Sequence, residues 1–152
     1  MFCYQCEQTA GGACCTGNAG VCGKTSEVAA AQDELTSALI TLGKVVSVKS
    51  LTPSANVNRM MLEGMFATLT NVNFDEASIK AQTAAVKDAT RELCPEAATC
   101  DCAAYDVNTL WRSDNADDKS LRTLVLLGCR GLAAYAYHAS VLGQEDADVY
   151  AL

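Results

Sequence analysis

Apolar residues in this chain recur every three or four positions over four long stretches, the spacing of one face of an α-helix. Leu35, Ala38, Leu39, Leu42, Val45 and Val46 mark the first, which the pattern places over about 25–47. Thr25 stands at its start as an N-cap, and Glu27 faces the positive end of the helix dipole. Pro53 breaks the ladder before a second helix, about 55–70, with Val57, Met61, Leu62, Met65, Phe66 and Leu69 inward. Asp75 caps a third over 75–93, where Ile79, Val86, Ala89 and Leu93 share a face. Residues 94–116 hold Pro95, Asn108, Ser113, Asp114 and Asn115 with no sustained period, and read as irregular. A last helix is predicted over 117–141, opened by Asp117 and Asp118 and running through Leu121, Leu124, Val125, Leu127, Leu132 and Tyr135.

No strand-like alternation longer than four residues interrupts this pattern. The expected fold is all-α: a small antiparallel helix bundle in one domain, 1–152. The most apolar run, Leu124 to Gly143, carries Arg130 and His138, both costly inside a membrane, so it reads as a buried core helix of a soluble protein. Met60, Met61 and Met65 read as core filling, and Tyr135, Tyr137 and Tyr150 as packing residues. His138, the only histidine, suits the C-terminal end of its helix.

Charge and cysteine usage change the picture. A net charge of −7 disfavours nucleic acid and anionic membranes as partners. It fits a basic redox partner protein. Nine cysteines suggest a disulfide scaffold, but the count is odd and no secretory leader is visible. Five of them, Cys3, Cys6, Cys14, Cys15 and Cys22, also crowd the first two dozen residues. That pattern favours thiolate ligation of a metal or iron–sulfur cluster in a cytoplasmic, reducing setting.

Gly11, Gly12, Gly17, Gly20 and Gly23 between and after these cysteines allow positive φ and close approach of backbone to a cluster. Zinc is the chemical rival. Sites of four cysteines usually present two Cys-x2-Cys pairs, however, and only Cys3 and Cys6 have that form. Five cysteines for four ligand positions leave one spare. Cys94, Cys100 and Cys102 lack a fourth partner of matching spacing and read as plain thiols.

The order Met-Phe-Cys3-Tyr-Gln-Cys6-Glu-Gln-Thr, then Cys15-x6-Cys22-Gly-Lys-Thr, resembles the N-terminus of the hybrid cluster proteins, also called prismane proteins or hydroxylamine reductases. The likeness continues through Gln32-Asp33, Phe66 to Asp75, and Gly131-Leu-Ala-Ala-Tyr-Ala-Tyr-His138. It implies a helical first domain in which Cys3, Cys6, Cys15 and Cys22 ligate a [4Fe–4S] cluster, with [2Fe–2S] as the alternative. Cys14 is then the extra thiol, and Tyr4 a shield against water.

The resemblance also implies that the ligands of the hybrid cluster would lie beyond Leu152. Electron transfer or cluster carriage is therefore expected of this chain, without a catalytic residue of its own. The alternatives are an electron-input module for hydroxylamine or nitric oxide reduction and a zinc-stabilised interaction domain. The apolar final helix adds self-association as a second partner expectation.

Overall fold

The computed structural model describes residues 3–6, 14–95 and 104–151. Six helices follow in order: α1 Ser26–Val48, α2 Ala55–Ala67, α3 Glu76–Leu93, α4 Asn108–Trp111, α5 Ala116–Val141 and α6 Ala147–Tyr150. No strand occurs among the described residues, only an isolated antiparallel bridge between Cys3 and Cys15. The all-α bundle is as expected.

Local chemistry sets the helix ends. Thr25, Ser54 and Asp75 each accept a backbone N–H in the first turn of α1, α2 and α3, satisfying donors that have no partner within the helix. Asn115 does the same for α5, so that helix starts one residue before the predicted Asp117, and both aspartates fall in its first turn. The second helix stops at Ala67 rather than about 70. Thr68 caps it, and Asn71 takes a left-handed φ of 66° in the turn that follows.

The segment read as irregular contains α4, which buries Leu110 and Trp111. Its period was unreadable because one helical turn is too short to repeat. Near it, the backbone N–H groups of Tyr105 and Val107 donate to the hydroxyls of Thr41 and Ser37 on α1.

The core lies along α1, which packs chiefly on α3, while α2 packs chiefly on α5. Val28, Leu35, Leu39 and Leu42 of α1 meet Val57 of α2 and Ile79 and Val86 of α3. Met60, Met61 and Met65 pack against this cluster, as predicted. A second cluster joins Val107, Leu110 and Trp111 to Leu126 of α5, with Tyr4 and Tyr105 at its edge. Gly64 lets α2 close on α1: a Cβ there would sit 2.8 Å from a methyl carbon of Leu39.

Helix α5 is not the buried core helix its composition suggested. Leu126, Arg130 and Ala133 are buried, whereas Leu121, Leu124 and Val125 are 65–68% exposed. Tyr135, expected to pack, is 82% exposed. The reason is geometric: α5 meets its neighbours through one narrow stripe spaced four and three residues apart, and its remaining apolar face turns outward. Tyr137 does pack, its ring stacked on Phe66 at 4.9 Å, and Tyr150 is half-buried. His138 occupies the last turn of α5 as expected, with its ring edge-on to Phe66 at 5.3 Å. No helix among the described residues is long and apolar enough to cross a membrane.

Candidate functional site

The cysteine loop leads directly into α1 and lies against its first turns. The backbone N–H of Cys15 donates to the carbonyl of Cys3 at 2.9 Å, which brings the two cysteines side by side. Both are buried and pack on Ala29 of α1. Neighbouring residues in extended chain point to opposite sides. Of the adjacent pair, Cys15 is accordingly the one buried beside Cys3, and Cys14 is half-exposed.

Cys22 sits in a tight turn. The Gly20 N–H donates to the Lys24 carbonyl at 2.7 Å, and the Gly23 N–H to the Gly20 carbonyl at 2.9 Å. Gly23 takes a φ of 87°, the left-handed conformation that the glycine content led us to expect. Gly17 and Gly20 do not take positive φ. Gly20 serves by close approach instead: a Cβ on it would lie 3.4 Å from the Cys22 sulfur. Gly11 and Gly12 lie outside the described residues.

Cys3, Cys6, Cys14, Cys15 and Cys22 are all thiols without a disulfide. Cys6 and Cys22 are half-buried. Among the described residues, no three Cys, His, Asp or Glu side chains converge at metal-binding distance. The structure thus brings Cys3 and Cys15 together and leaves Cys6 and Cys22 near the same loop without closing the four sulfurs on one point. Residues 7–13, between the two halves, lie outside the described set. Cys94 is buried against Val45 at the end of α3, away from this loop in the fold. Its companions Cys100 and Cys102 lie outside the described residues.

Beneath the loop is a feature that the spacing of cysteines did not announce. Gln5, between Cys3 and Cys6, donates from its amide nitrogen to the Ala29 carbonyl at 3.0 Å and to Asp33 Oδ1 at 2.7 Å. Its amide oxygen accepts from Lys24 Nζ at 2.7 Å. Lys24 Nζ also donates to Gln32 Oε1, and Gln32 Nε2 donates to the Asn73 carbonyl at 2.8 Å. Arg130 reaches in from α5, donating from Nη2 to the Thr36 hydroxyl at 2.8 Å and from Nε to the Thr68 hydroxyl at 3.1 Å.

Lys24 and Arg130 are only 2% and 1% exposed. Neither has a carboxylate within ion-pair distance among the described residues. Their hydrogen-bond acceptors are neutral amide and hydroxyl oxygens. Asp33 is the one buried carboxylate among the described residues. Burial pushes its acid dissociation above the usual range, while Gln5, Trp111, Arg130 and Lys24 pull it back. The buried indole Nε1 of Trp111 has no hydrogen-bond partner among the described residues, yet lies near enough to Asp33 to favour the charged form.

Burial lowers the Arg130 pKa to about 10, against the stabilising charges of Asp33 and Cys3. Burial likewise raises the Cys3 thiol, with the Gln5 N–H and the Lys24 ammonium acting the other way. Among the described residues, two buried cations stand here against one buried carboxylate.

This setting fits a sulfur-ligated anionic group in donor type and in charge. The donors are thiols rather than disulfides, and the described buried groups under them carry more positive than negative charge. Tyr4, expected to shield the site, packs on Trp111 at the edge of the cluster formed with α4 and α5. Its ring lies 5.7 Å from that of Trp111, with Lys119 Nζ 5.6 Å from its centroid. The polar residues of the network were within reach of sequence reasoning. Gln32, Asp33 and Thr36 interrupt the inward apolar face of α1 at helical spacing, and Arg130 does the same on α5.

The family model for the Prismane/CO dehydrogenase family matches residues 1–152. A hydroxylamine reductase of Maridesulfovibrio salexigens is 40% identical, over 99% of this chain and 31% of the relative. One from Acetivibrio thermocellus is 39% identical over the same shares. Another, from Thermodesulfovibrio yellowstonii, is 38% identical over 99% of this chain and 32% of its own length. The chain spans about a third of the length of these curated relatives. Proteins of this family bind iron–sulfur clusters. By the full-length family match and the extent of identity, this chain belongs to the Prismane/CO dehydrogenase family.

Proposed function

We propose that the chain holds one [4Fe–4S] cluster through Cys3, Cys6, Cys15 and Cys22 and serves electron transfer between proteins in the cytoplasm. The observation that carries this reading is the pairing of Cys3 with Cys15 over a network whose described buried groups hold more positive than negative charge. Such a cluster, when bound, takes up and releases single electrons with little change of geometry.

The chain's own part is to bind and orient. Cys3 and Cys15 are held by a backbone bridge, and Gly20 clears space beside the Cys22 sulfur. Gln5 ties the first half of the loop to α1 through Ala29 and Asp33. Lys24 ties the second half to Gln5 and Gln32. Burial of Cys3 and Cys15 keeps water from two of the ligands.

The names of the relatives support a second reading, in which this domain feeds electrons into hydroxylamine reduction carried out by other polypeptide. The partner in either case is a redox protein. The exposed apolar face of α5 supports contact with a second copy as well.

Anaerobic purification, followed by iron and sulfide counts and EPR after dithionite reduction, tests the proposal. Four irons and four sulfides per chain with an S = 1/2 signal are expected. Two irons would assign [2Fe–2S] instead, and zinc without iron would refute the reading in favour of a zinc-stabilised domain. Cys15→Ser is expected to lose the cluster and Cys14→Ser to keep it. Hydroxylamine turnover by the isolated chain would show chemistry that this proposal does not give it.

A further inference from the structure

The buried charges under the loop are not explained by fold stability. Taking a cation out of water is expensive unless an anion or a full set of hydrogen bonds replaces the water. Lys24 has two neutral amide oxygens for its three donors, and Arg130 has two hydroxyls for its five. Both Thr36 and Thr68 already spend their own protons on backbone carbonyls, those of Gln32 and Met65. Asp33, the one buried carboxylate among the described residues, is bound to Gln5 rather than to either cation. Among the described residues, such an arrangement leaves one positive charge without a counter-charge.

The network is aimed at the cysteines. Gln5, whose amide joins Lys24 to Asp33, stands between Cys3 and Cys6, and Lys24 follows Cys22 by two residues. The Cys3 thiolate in turn favours charged Arg130. We infer that Lys24 and Arg130, opposed by Asp33, supply the built-in counter-charge of the thiolate-ligated group and raise its reduction potential. This rests on the cluster reading above. Reduction adds one electron from the donor and neither makes nor breaks a bond at these residues. A buried cation favours the state with the extra negative charge, and a buried carboxylate disfavours it. Lys24 and Arg130 are therefore positioning residues, acting through the field they set at the ligands.

An EPR-monitored redox titration of the full chain carrying its cluster tests this, with iron and sulfide counted first for every variant. Lys24→Met and Arg130→Met are expected to shift the midpoint potential negative and Asp33→Asn to shift it positive. Arg130→Lys, which keeps the charge, should stay near wild type. Loosened packing would move all the variants in one direction, so a common sign overturns the inference. Full iron loading with no shift overturns it too. Should Arg130→Met fail to fold by circular dichroism, the opposite signs of Lys24→Met and Asp33→Asn still decide. Wild type without iron would sink the cluster reading itself, whereas loaded but unshifted variants refute the electrostatic role alone.

Discussion

Replacing Arg130 by Met removes the guanidinium while keeping most of the stem, and the structure sets what this does to stability. Burial lowers the Arg130 pKa from 12.5 to about 10. At ~1.36 kcal/mol per tenfold change in proton affinity, that is about 3 kcal/mol against the charged side chain. Two hydrogen bonds from a charged donor contribute ~1.5 kcal/mol or more each in the other direction. These nearly cancel. No hydroxyl is orphaned by the change, since Thr36 and Thr68 keep their bonds to the Gln32 and Met65 carbonyls at 2.8 and 2.9 Å. Arg130→Met should therefore lie within about 1.5 kcal/mol of wild type.

Arg130→Ala also empties the space of the stem beside α2 and should cost roughly 2–4 kcal/mol. Urea unfolding of the full chain with chelator and reductant, followed by circular dichroism at 222 nm, measures both. Equal losses for Met and Ala, or a loss above ~3 kcal/mol for Met, would mean that the guanidinium head is well compensated. The argument for surplus buried charge would then be wrong.

Two glycines of the bundle should respond with opposite signs. Gly64→Ala puts a Cβ 2.8 and 3.0 Å from the methyl carbons of buried Leu39, so overpacking of ~1–3 kcal/mol outweighs a helix-propensity gain of about 1. Gly43→Ala meets only a Met61 methyl at 3.8 Å and should stabilise by ~0.5–1 kcal/mol; equal signs in urea unfolding would discredit the packing. Asp33 holds its proton more tightly folded than unfolded, so its contribution is most favourable below about pH 3.8 and is lost as pH rises through the folded value. Wild type should accordingly gain on Asp33→Asn in denaturant midpoint between pH 7 and pH 4, and a constant gap would refute this. If the α5 face binds a second copy, Leu124→Glu with Val125→Glu should convert a sedimenting dimer to monomer; a monomeric wild type would end that idea.

Most of the helical frame could be read from spacing because it rests on local rules. Thr25, Ser54 and Asp75 are caps by side-chain chemistry alone, and Leu35, Leu39 and Leu42 face inward because their period is that of a helix. Which side of α5 is covered could not be read that way. Leu124, Val125 and Leu126 are adjacent and equally apolar, and only the packing of Val107, Leu110 and Trp111 against α5 decides that Leu126 is buried while its neighbours stand in water. The same holds for Tyr135 and Tyr137, two residues apart, of which one is 82% exposed and the other stacked on Phe66. Burial on a helix that is apolar nearly all round is a tertiary property.

For the candidate site the division runs between donors and their surroundings. Thiols gathered in one loop are visible as letters, and the choice of Cys15 over Cys14 rests on the resemblance of Cys15-x6-Cys22-Gly-Lys-Thr to the hybrid cluster proteins. In the fold that choice corresponds to which of two neighbours points at Ala29. The charges that face the loop come from 24, 33 and 130, positions that no local motif links. They are nevertheless marked by a conflict. Gln32, Asp33 and Thr36 occupy the inner face of a helix whose other inner positions are Val, Ala and Leu, and Arg130 falls on the narrow buried stripe of α5. A sequence that places polar and charged groups where its own periodicity calls for apolar ones carries a cost that folding alone does not recover. Here Gln32, Asp33 and Lys24 join Gln5 between Cys3 and Cys6, which is why the departure from the pattern, as much as the cysteines themselves, marks the candidate site.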